Sequence, residues 1–263
     1  MGAKTVHLMP LRLRAAGLTD IGCVRERNED AFLADATTGL FIVADGMGGR
    51  NGGEVAARRL VELLPEIIRR RMRDEATADR NDAQVMRTML EAAVMEASGA
   101  IRAEGEVTLE NLGMGAAIVA ALVVGSNAHI AHMGDSRAYL LRAGGLRQLT
   151  HDHSIVEALL RNGEISPQEA VDHPARGRLT RFVGMEPAIG PATQTVDLLA
   201  GDRLMLCTDG LWGMVGDRAM AGILSSLDGC EATCRALIAA GKAAGGEDNL
   251  TAVVVDIVEG LTA

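Results

Sequence analysis

Six short runs of aliphatic and β-branched residues constrain the fold of this 263-residue chain more than any other feature. They span residues 40–44, 117–124, 129–133, 137–141, 204–208 and 250–255. Most are apolar throughout, which is typical of strands buried on both faces. Strands that cluster between helical segments and are joined by turns as short as Gly-Ser-Asn favour antiparallel sheets covered by helices over repeated βαβ units.

Helical periodicity marks three longer segments and one insertion. Apolar residues recur at spacings of three and four over residues 53–72, 86–101 and 230–238. Two shorter helices are predicted at 154–161 and 166–173, within a glycine- and proline-containing region at 151–190. We expect a single domain over residues 1–263, with residues 151–190 forming a surface insertion.

The charge balance excludes several classes of partner. The chain has 26 Lys and Arg against 35 Asp and Glu, a net charge of −9, which argues against phosphate-driven binding of nucleic acid and against an anionic membrane surface. No apolar run approaches 18 residues, and Arg12 and Arg14 interrupt the N-terminal stretch where a signal peptide needs an apolar core. We therefore predict a cytoplasmic protein.

Four cysteines lie in apolar surroundings and are expected to be reduced, buried thiols: Cys23, Cys207, Cys230 and Cys234. Cys230 and Cys234 could instead be half of a zinc site. No second His or Cys pair has the spacing to complete it, and the helical register explains both as core residues.

The strongest local signal is an aspartate beside the end of a buried strand, followed by glycine or asparagine. It occurs at Asp45-Gly46, at Asp209-Gly210 and at Asp248-Asn249. Any one of these pairs could be a simple turn. Three buried carboxylates need a shared counter-charge, however, and an all-oxygen ligand set suits Mg²⁺ or Mn²⁺.

Two neighbouring segments leave alternatives open. The glycine-rich run at 45–53 invites comparison with phosphate-binding loops, but it lacks the Lys-Ser/Thr pair of a P-loop. The polar segment at 20–30 could be a solvated loop. Beside a metal site, its acids could orient metal-bound waters and an arginine could grip a phosphoryl group bidentately.

Taken together, these motifs resemble the PP2C-type (PPM family) metal-dependent serine/threonine protein phosphatases, in particular the compact bacterial members. The matching segments, in the family's order, are Asp20 to Asp30, Asp45 to Gly49, Gly134 to Arg137, Leu149 to Ser154, Cys207 to Gly210 and Glu247 to Asn249. The resemblance implies an α+β fold, a four-layer α-β-β-α sandwich of two antiparallel sheets flanked by helices. The 151–190 region would be the family's flap.

The resemblance also implies a centre of two Mn²⁺ or Mg²⁺ ions and a role for each motif residue. Asp45 would bridge the metals, the Gly46 carbonyl would bind one of them, and Asp209 and Asp248 would complete the ligands of the other. Glu29 and Asp30 would hold metal-bound waters, Asn249 would support the site, and Arg25 would bind the substrate phosphate.

Two departures from the family pattern concern the chemistry. Met47 stands where many eukaryotic relatives have a histidine proposed as the general acid, so leaving-group protonation is unassigned and His151 or His153 would be guesses. Gly213 occupies the place of an aspartate that helps Asp135 bind a third metal, so that site is expected to be weak or absent.

The function implied is hydrolysis of phosphoserine and phosphothreonine in proteins by a water activated at the two metals. Two alternatives are a phosphatase fold that serves as a regulatory binding module and a phosphatase for small phosphorylated metabolites. The expected partners are phosphoproteins and a bacterial-type serine/threonine kinase, with no nucleic acid and no membrane, and the chain is expected to be a monomer.

Overall fold

The computed structural model describes residues 11–48, 52–74, 79–80, 82–108, 110–226 and 228–260. The strands in these ranges are β1 (Leu11–Asp20), β2 (Asp30–Asp35), β3 (Leu40–Met47), β4 (Gly115–Val124), β5 (Asn127–Met133), β6 (Arg137–Arg142), β7 (Gly145–Gln148), β8 (Ala192–Asp197), β9 (Arg203–Cys207) and β10 (Leu250–Glu259). The helices are α1 (Gly52–Asp74), α2 (Ala83–Gly105), α3 (Ile155–Arg161), α4 (Pro167–Val171), α5 (Asp209–Trp212), α6 (Asp217–Ser226) and α7 (Cys230–Ala243).

The strands form two five-stranded antiparallel sheets that pack against each other. The first sheet has the order β1-β10-β9-β6-β7 and the second has the order β2-β3-β4-β5-β8. Phe41 and Val43 of the second sheet share a buried cluster with Leu204 and Val253 of the first. Because side chains alternate along a strand, Ile42 points the other way and packs under the helices.

Helices cover the outer face of each sheet and complete the four predicted layers. The apolar stripes of α1 and α2 pack on the second sheet through residues such as Leu60 and Leu90. The stripes of α6 and α7 pack on the first sheet through Met220 and Leu237. The predicted α-β-β-α sandwich is therefore confirmed, and Pro65 is accommodated inside α1.

The six strands predicted from the sequence are the six inner strands, and the four edge strands were not predicted. An inner strand has a neighbour on each side and is covered on both faces, so it is apolar throughout; β4 is buried from Gly115 to Val123. An edge strand has one neighbour and an exposed flank. In β1 and β2 every residue keeps part of its surface accessible, and the apolar residues are interrupted by arginines in β1 and reach only four in a row in β2.

The cysteine prediction holds for three of the four residues. Cys207, Cys230 and Cys234 are buried, and the last two lie on α7 with their thiols directed at the carbonyl oxygens of Arg14 and Ala16 in β1. Cys23 is exposed, so the prediction is wrong there. It lies in the loop after β1, whose polar sequence gives the thiol no core to enter.

The 151–190 region contains the two predicted short helices, α3 and α4, before β8 resumes the second sheet. Each begins at a serine whose hydroxyl accepts a backbone N–H of the first turn, Ser154 for α3 and Ser166 for α4. Within the part of the chain that the structure describes, no helix is both long and apolar enough to cross a membrane.

Candidate metal centre

Asp45 is carried by an inner strand that runs past it. The structure continues β3 through Gly46 to Met47, with Asp45 opposite Asp30 of β2 and Ala117 of β4. The Asp45-Gly46 pair is thus not a turn. A Cβ on Gly46 would lie 2.0 Å from the carbonyl oxygen of Gly53, so glycine lets the start of α1 approach the strand. Residues 49–51 of the glycine-rich run lie outside the described residues.

Asp209 and Asp248 come from neighbouring strands of the first sheet. Asp209 follows β9 and is the first residue of α5. Asp248 precedes β10, which is antiparallel to β9, so the start of one strand lies beside the end of the other. The antiparallel register therefore brings together two acids that are 39 positions apart in the sequence.

Three carboxylates converge at the edge where the two sheets meet. Oxygen atoms of Asp45, Asp135 and Asp209 all lie within 4.8 Å of one another, and Asp135 is 8% exposed. Among the described residues, no other set of three His, Cys, Asp or Glu side chains is placed to hold a metal ion. Asp248 is not in this set, whereas Asp135, expected only at a weak third site, is.

The convergence is electrostatically costly without a cation. Burial raises the pKa of Asp45 well above its usual value, and the charges of Asp30 and Asp209 raise it further. The pKa of Asp209 is raised by burial and then by the charge of Asp248, and that of Asp135 by burial and then by Asp209. Crowded carboxylate oxygens are the donor set that Mg²⁺ and Mn²⁺ prefer, so these residues fit the expected ions.

Asp30 lies behind this cluster and connects the two sheets. Its carboxylate accepts hydrogen bonds from the hydroxyls of Thr251 in β10 (2.6 Å) and of Thr208, the residue directly after β9 (2.9 Å). Burial raises the pKa of Asp30 to about 7, although the two hydroxyls oppose the shift. The two threonines were not singled out in the sequence, although Thr208 directly precedes Asp209.

Asn249 joins the loop after β1 to the start of β10. Its side-chain amide donates to the carbonyl oxygens of Ile21 (3.0 Å) and Arg27 (2.9 Å) and accepts the N–H of Glu29 (2.8 Å). Burial is also the main cause that raises the pKa of Glu29. The Asn249 side chain therefore fixes the loop that carries Arg25 and Glu29.

The carboxylates open into a cleft of about 470 Å³. Its walls are formed by Arg25, Glu29, Asp45, Gly46, Met47, Gly48, Asp135, Gly177, Leu179, Phe182, Asp209, Asp248 and Asn249. Arg25 is half exposed and its Nη2 lies 2.7 Å from Oδ2 of Asp248. The 151–190 region contributes Gly177, Leu179 and Phe182, which places an apolar wall opposite the acids.

Neither histidine considered as a general acid lines this cleft. His151 is largely exposed, and His153 stacks on His132 with its Nδ1 facing the N–H of Gly134. Burial lowers the pKa of His153 to about 3, so the ring is neutral at physiological pH. Gly213 ends α5, with its N–H bonded to the carbonyl of Asp209, and offers no side chain to a metal.

A family model described as protein phosphatase 2C matches residues 24–251. The chain belongs to the protein phosphatase 2C family. It is similar to the serine/threonine phosphatase Stp of Listeria welshimeri, at 39% identity over 90% of this chain and 93% of that protein. It is also similar to the serine/threonine protein phosphatase PstP of Mycobacterium tuberculosis, at 38% identity over 95% of this chain and 46% of the longer relative.

Solved structures of the family share the fold. The crystal structure of Mycobacterium tuberculosis PstP/Ppp has a TM-score of 0.82 and 36% identity, covering 94% of this chain and 99% of that one. The catalytic domain of PstP in complex with two manganese ions has a TM-score of 0.81 and 34% identity, covering 95% and 100%. The chain is thus a metal-dependent protein serine/threonine phosphatase, as the resemblance implied.

Proposed function

We propose that this phosphatase hydrolyses phosphoserine and phosphothreonine at the edge where the two sheets meet, with two Mn²⁺ or Mg²⁺ ions held by Asp45, the Gly46 carbonyl, Asp209 and Asp248. The observation that carries the proposal is the cluster of three carboxylates, those of Asp45, Asp135 and Asp209, whose oxygen atoms lie within 4.8 Å of one another at a cleft that also contains Arg25. The manganese-bound PstP structure supports the metal assignment by similarity. When bound, the ions supply a lowered pKa for the attacking water and positive charge for the phosphoryl oxygens.

The chain's own residues bind and orient the substrate. Arg25 offers a planar fork of N–H donors to two phosphoryl oxygens, a geometry that lysine lacks. Arg25 is now paired with Asp248. If the phosphate bound Arg25 and a metal bound Asp248, this one ion pair would be replaced by two contacts, one made by each residue. Glu29 lines the cleft and Asp30 lies behind it, positions from which they would hold waters beside the metals.

Phosphate release from a phosphothreonine peptide in Mn²⁺, Mg²⁺ and EDTA tests the proposal with Asp209→Asn and, as a matched control, Asp217→Asn on the exposed start of α6. We expect metal-dependent turnover in the native chain and in Asp217→Asn. In Asp209→Asn the loss should exceed the roughly 10- to 100-fold effect typical of residues that only support ligands.

No turnover in any metal, from folded protein that binds no divalent ion by calorimetry, would contradict this assignment. Faster release from sugar phosphates than from phosphopeptides would shift the proposal to small metabolites.

We further propose that the chain is one domain, acts as a monomer, and reverses the phosphorylations of a bacterial-type serine/threonine kinase. The cytoplasmic location stays a prediction, tested by fractionation, and light scattering tests the monomer.

A further inference from the structure

Arg137 makes an unusual set of contacts at the start of β6. Its Nε and Nη2 donate to the two carboxylate oxygens of Asp152 at 2.8 and 2.7 Å, and its Nη1 donates to the Tyr139 hydroxyl at 3.1 Å. The guanidinium carbon lies 3.3 Å from the centre of the Trp212 ring. The side chains of Arg137 and Asp152 are 16% and 7% exposed, so water competes little with this pair.

Trp212 connects Arg137 to the candidate metal ligands. Its indole N–H donates to the backbone carbonyl of Asp135 at 2.9 Å. Trp212 is also the last residue of α5, the one-turn helix that Asp209 begins. Trp212 therefore contacts the peptide of Asp135 through its ring and ends the helical turn that carries Asp209. A shift of Trp212 would change the distance between these two acids.

Asp152 connects Arg137 to the other wall of the cleft. It lies at the start of the 151–190 region, directly before His153, whose backbone N–H donates to Gly134 at 2.8 Å and whose carbonyl accepts from Thr180 at 2.8 Å. A bridge between Ser154 and Leu179 follows, and Leu179 lines the cleft. Fixing Asp152 thus fixes the base of the segment that faces the substrate.

We propose that Arg137, Asp152 and Trp212 form a positioning clamp, which sets the spacing of Asp135 and Asp209 and links it to the wall formed by the 151–190 region. None of the three clamp residues lines the cleft, so the clamp acts through its neighbours. The inference rests on the proposed function, because that function assigns a cation to Asp209, one of the two acids that the clamp positions. Lysine would keep the charge of Arg137 but could neither form the fork nor stack flat on the indole.

The test substitutes Arg137→Lys and compares it with Arg142→Lys. Arg142 lies at the other end of the same strand and makes the same forked pair with Asp202, at 2.8 and 2.6 Å, far from the cleft. Mn²⁺ binding is measured by calorimetry without substrate. Values of kcat and KM are measured with a phosphothreonine peptide and with p-nitrophenyl phosphate, which is too small to span the cleft.

For Arg137→Lys we expect the affinity of the weakest bound Mn²⁺ to fall by about 10- to 100-fold. At saturating Mn²⁺ the KM for the peptide should stay several-fold higher, while the KM for p-nitrophenyl phosphate returns to the native value. Arg142→Lys should change neither. If folded Arg137→Lys matches Arg142→Lys in Mn²⁺ affinity and in both KM values, the clamp proposal is wrong.

Trp212→Phe decides the question if Arg137→Lys fails to fold. It keeps an aromatic face under Arg137 and removes the N–H that bonds to Asp135 together with one ring of the indole, so Mn²⁺ affinity should fall without a change in the peptide KM at saturating Mn²⁺. Native Mn²⁺ affinity in folded Trp212→Phe would overturn the proposal. Absence of metal-dependent turnover in the native chain would instead contradict the proposed function, so the two failures are distinguishable.

Discussion

His153 shows how one partly buried side chain makes stability depend on pH. Its ring stacks on His132 with the centroids 4.5 Å apart and the planes 4° from parallel. Burial, and then the neighbouring His132, lowers its pKa to about 3. The unfolded chain takes up a proton near pH 6.5, whereas the folded chain resists it. The free energy of unfolding therefore has its full value above about pH 6.5 and decreases as the pH falls below it.

We therefore expect native protein to lose about 1 to 2 kcal/mol more unfolding free energy than His153→Gln between pH 7 and pH 5. Urea unfolding of both proteins at the two pH values measures the difference. His151→Gln is the matched control, because the side chain of His151 is 72% exposed. The unfolding free energy of this variant should change with pH as that of the native chain does. Parallel pH profiles for His153→Gln and the native chain would show that the ring titrates freely in the folded state.

At the residue scale, the sequence predicted the acids of the site but not the groups that hold them. Aspartates at the ends of buried strands are conspicuous because a carboxylate beside an apolar run needs a counter-charge. Thr208, Thr251 and Trp212 carry no such signal. A hydroxyl or an indole is common in any core, and their hydrogen bonds depend on distant residues that only the folded chain brings close.

At the scale of elements, the two sheets are joined at their edges by the packing of β2 on β1. Phe32 of β2 lies over Gly17 of β1, where a Cβ would come 2.3 Å from the ring. Glycine is therefore required at this position for packing rather than for a turn. The edge strands have a weaker signal in the sequence because their apolar runs are short: β2 has only Ala31 to Ala34 between two aspartates.

Gly17→Ala should lower the unfolding free energy by about 1 to 3 kcal/mol, because the added methyl group forces the Phe32 ring out of its site. Chemical denaturation gives the value. Gly99→Ala is the opposite case, since Gly99 lies on the exposed side of α2 with no neighbour within 4 Å of an added Cβ. Alanine should there raise helix stability by about 1 kcal/mol. Equal effects of the two substitutions would contradict the packing at Gly17.

At the scale of the whole molecule, the proposed metal centre depends on both sheets. Asp45 belongs to the second sheet, while Asp209 and Asp248 flank strands of the first. The Asp30 carboxylate of the second sheet also accepts hydrogen bonds from Thr251 of the first sheet and from Thr208, which directly follows β9 of that sheet. A cation bound among these acids would hold the sheets together, and binding would be coupled to folding of the entire sandwich.

Mn²⁺ at 100 times its dissociation constant should raise the unfolding free energy by about 2.7 kcal/mol, in a single transition that includes both sheets. Asp209→Asn should lose this gain and should be more stable than the native chain in EDTA, because it removes one of the crowded charges. Calorimetric unfolding with Mn²⁺ and with EDTA measures both effects, with Asp217→Asn as the control. Two separate transitions in Mn²⁺ would argue against a centre shared by the sheets.

The pairing of β1 with β10 also bears on how the enzyme is made. The first strand has its hydrogen-bonded partner almost 240 residues later, and β10 is inserted between β1 and β9. A nascent chain that has been synthesised only as far as α7 already carries Asp45 and Asp209. It still lacks Asp248 and β10, the strand that joins β1 to the rest of the first sheet. Catalytic activity should thus arise abruptly once β10 leaves the exit tunnel, and translation products that stop before it should have no phosphatase activity.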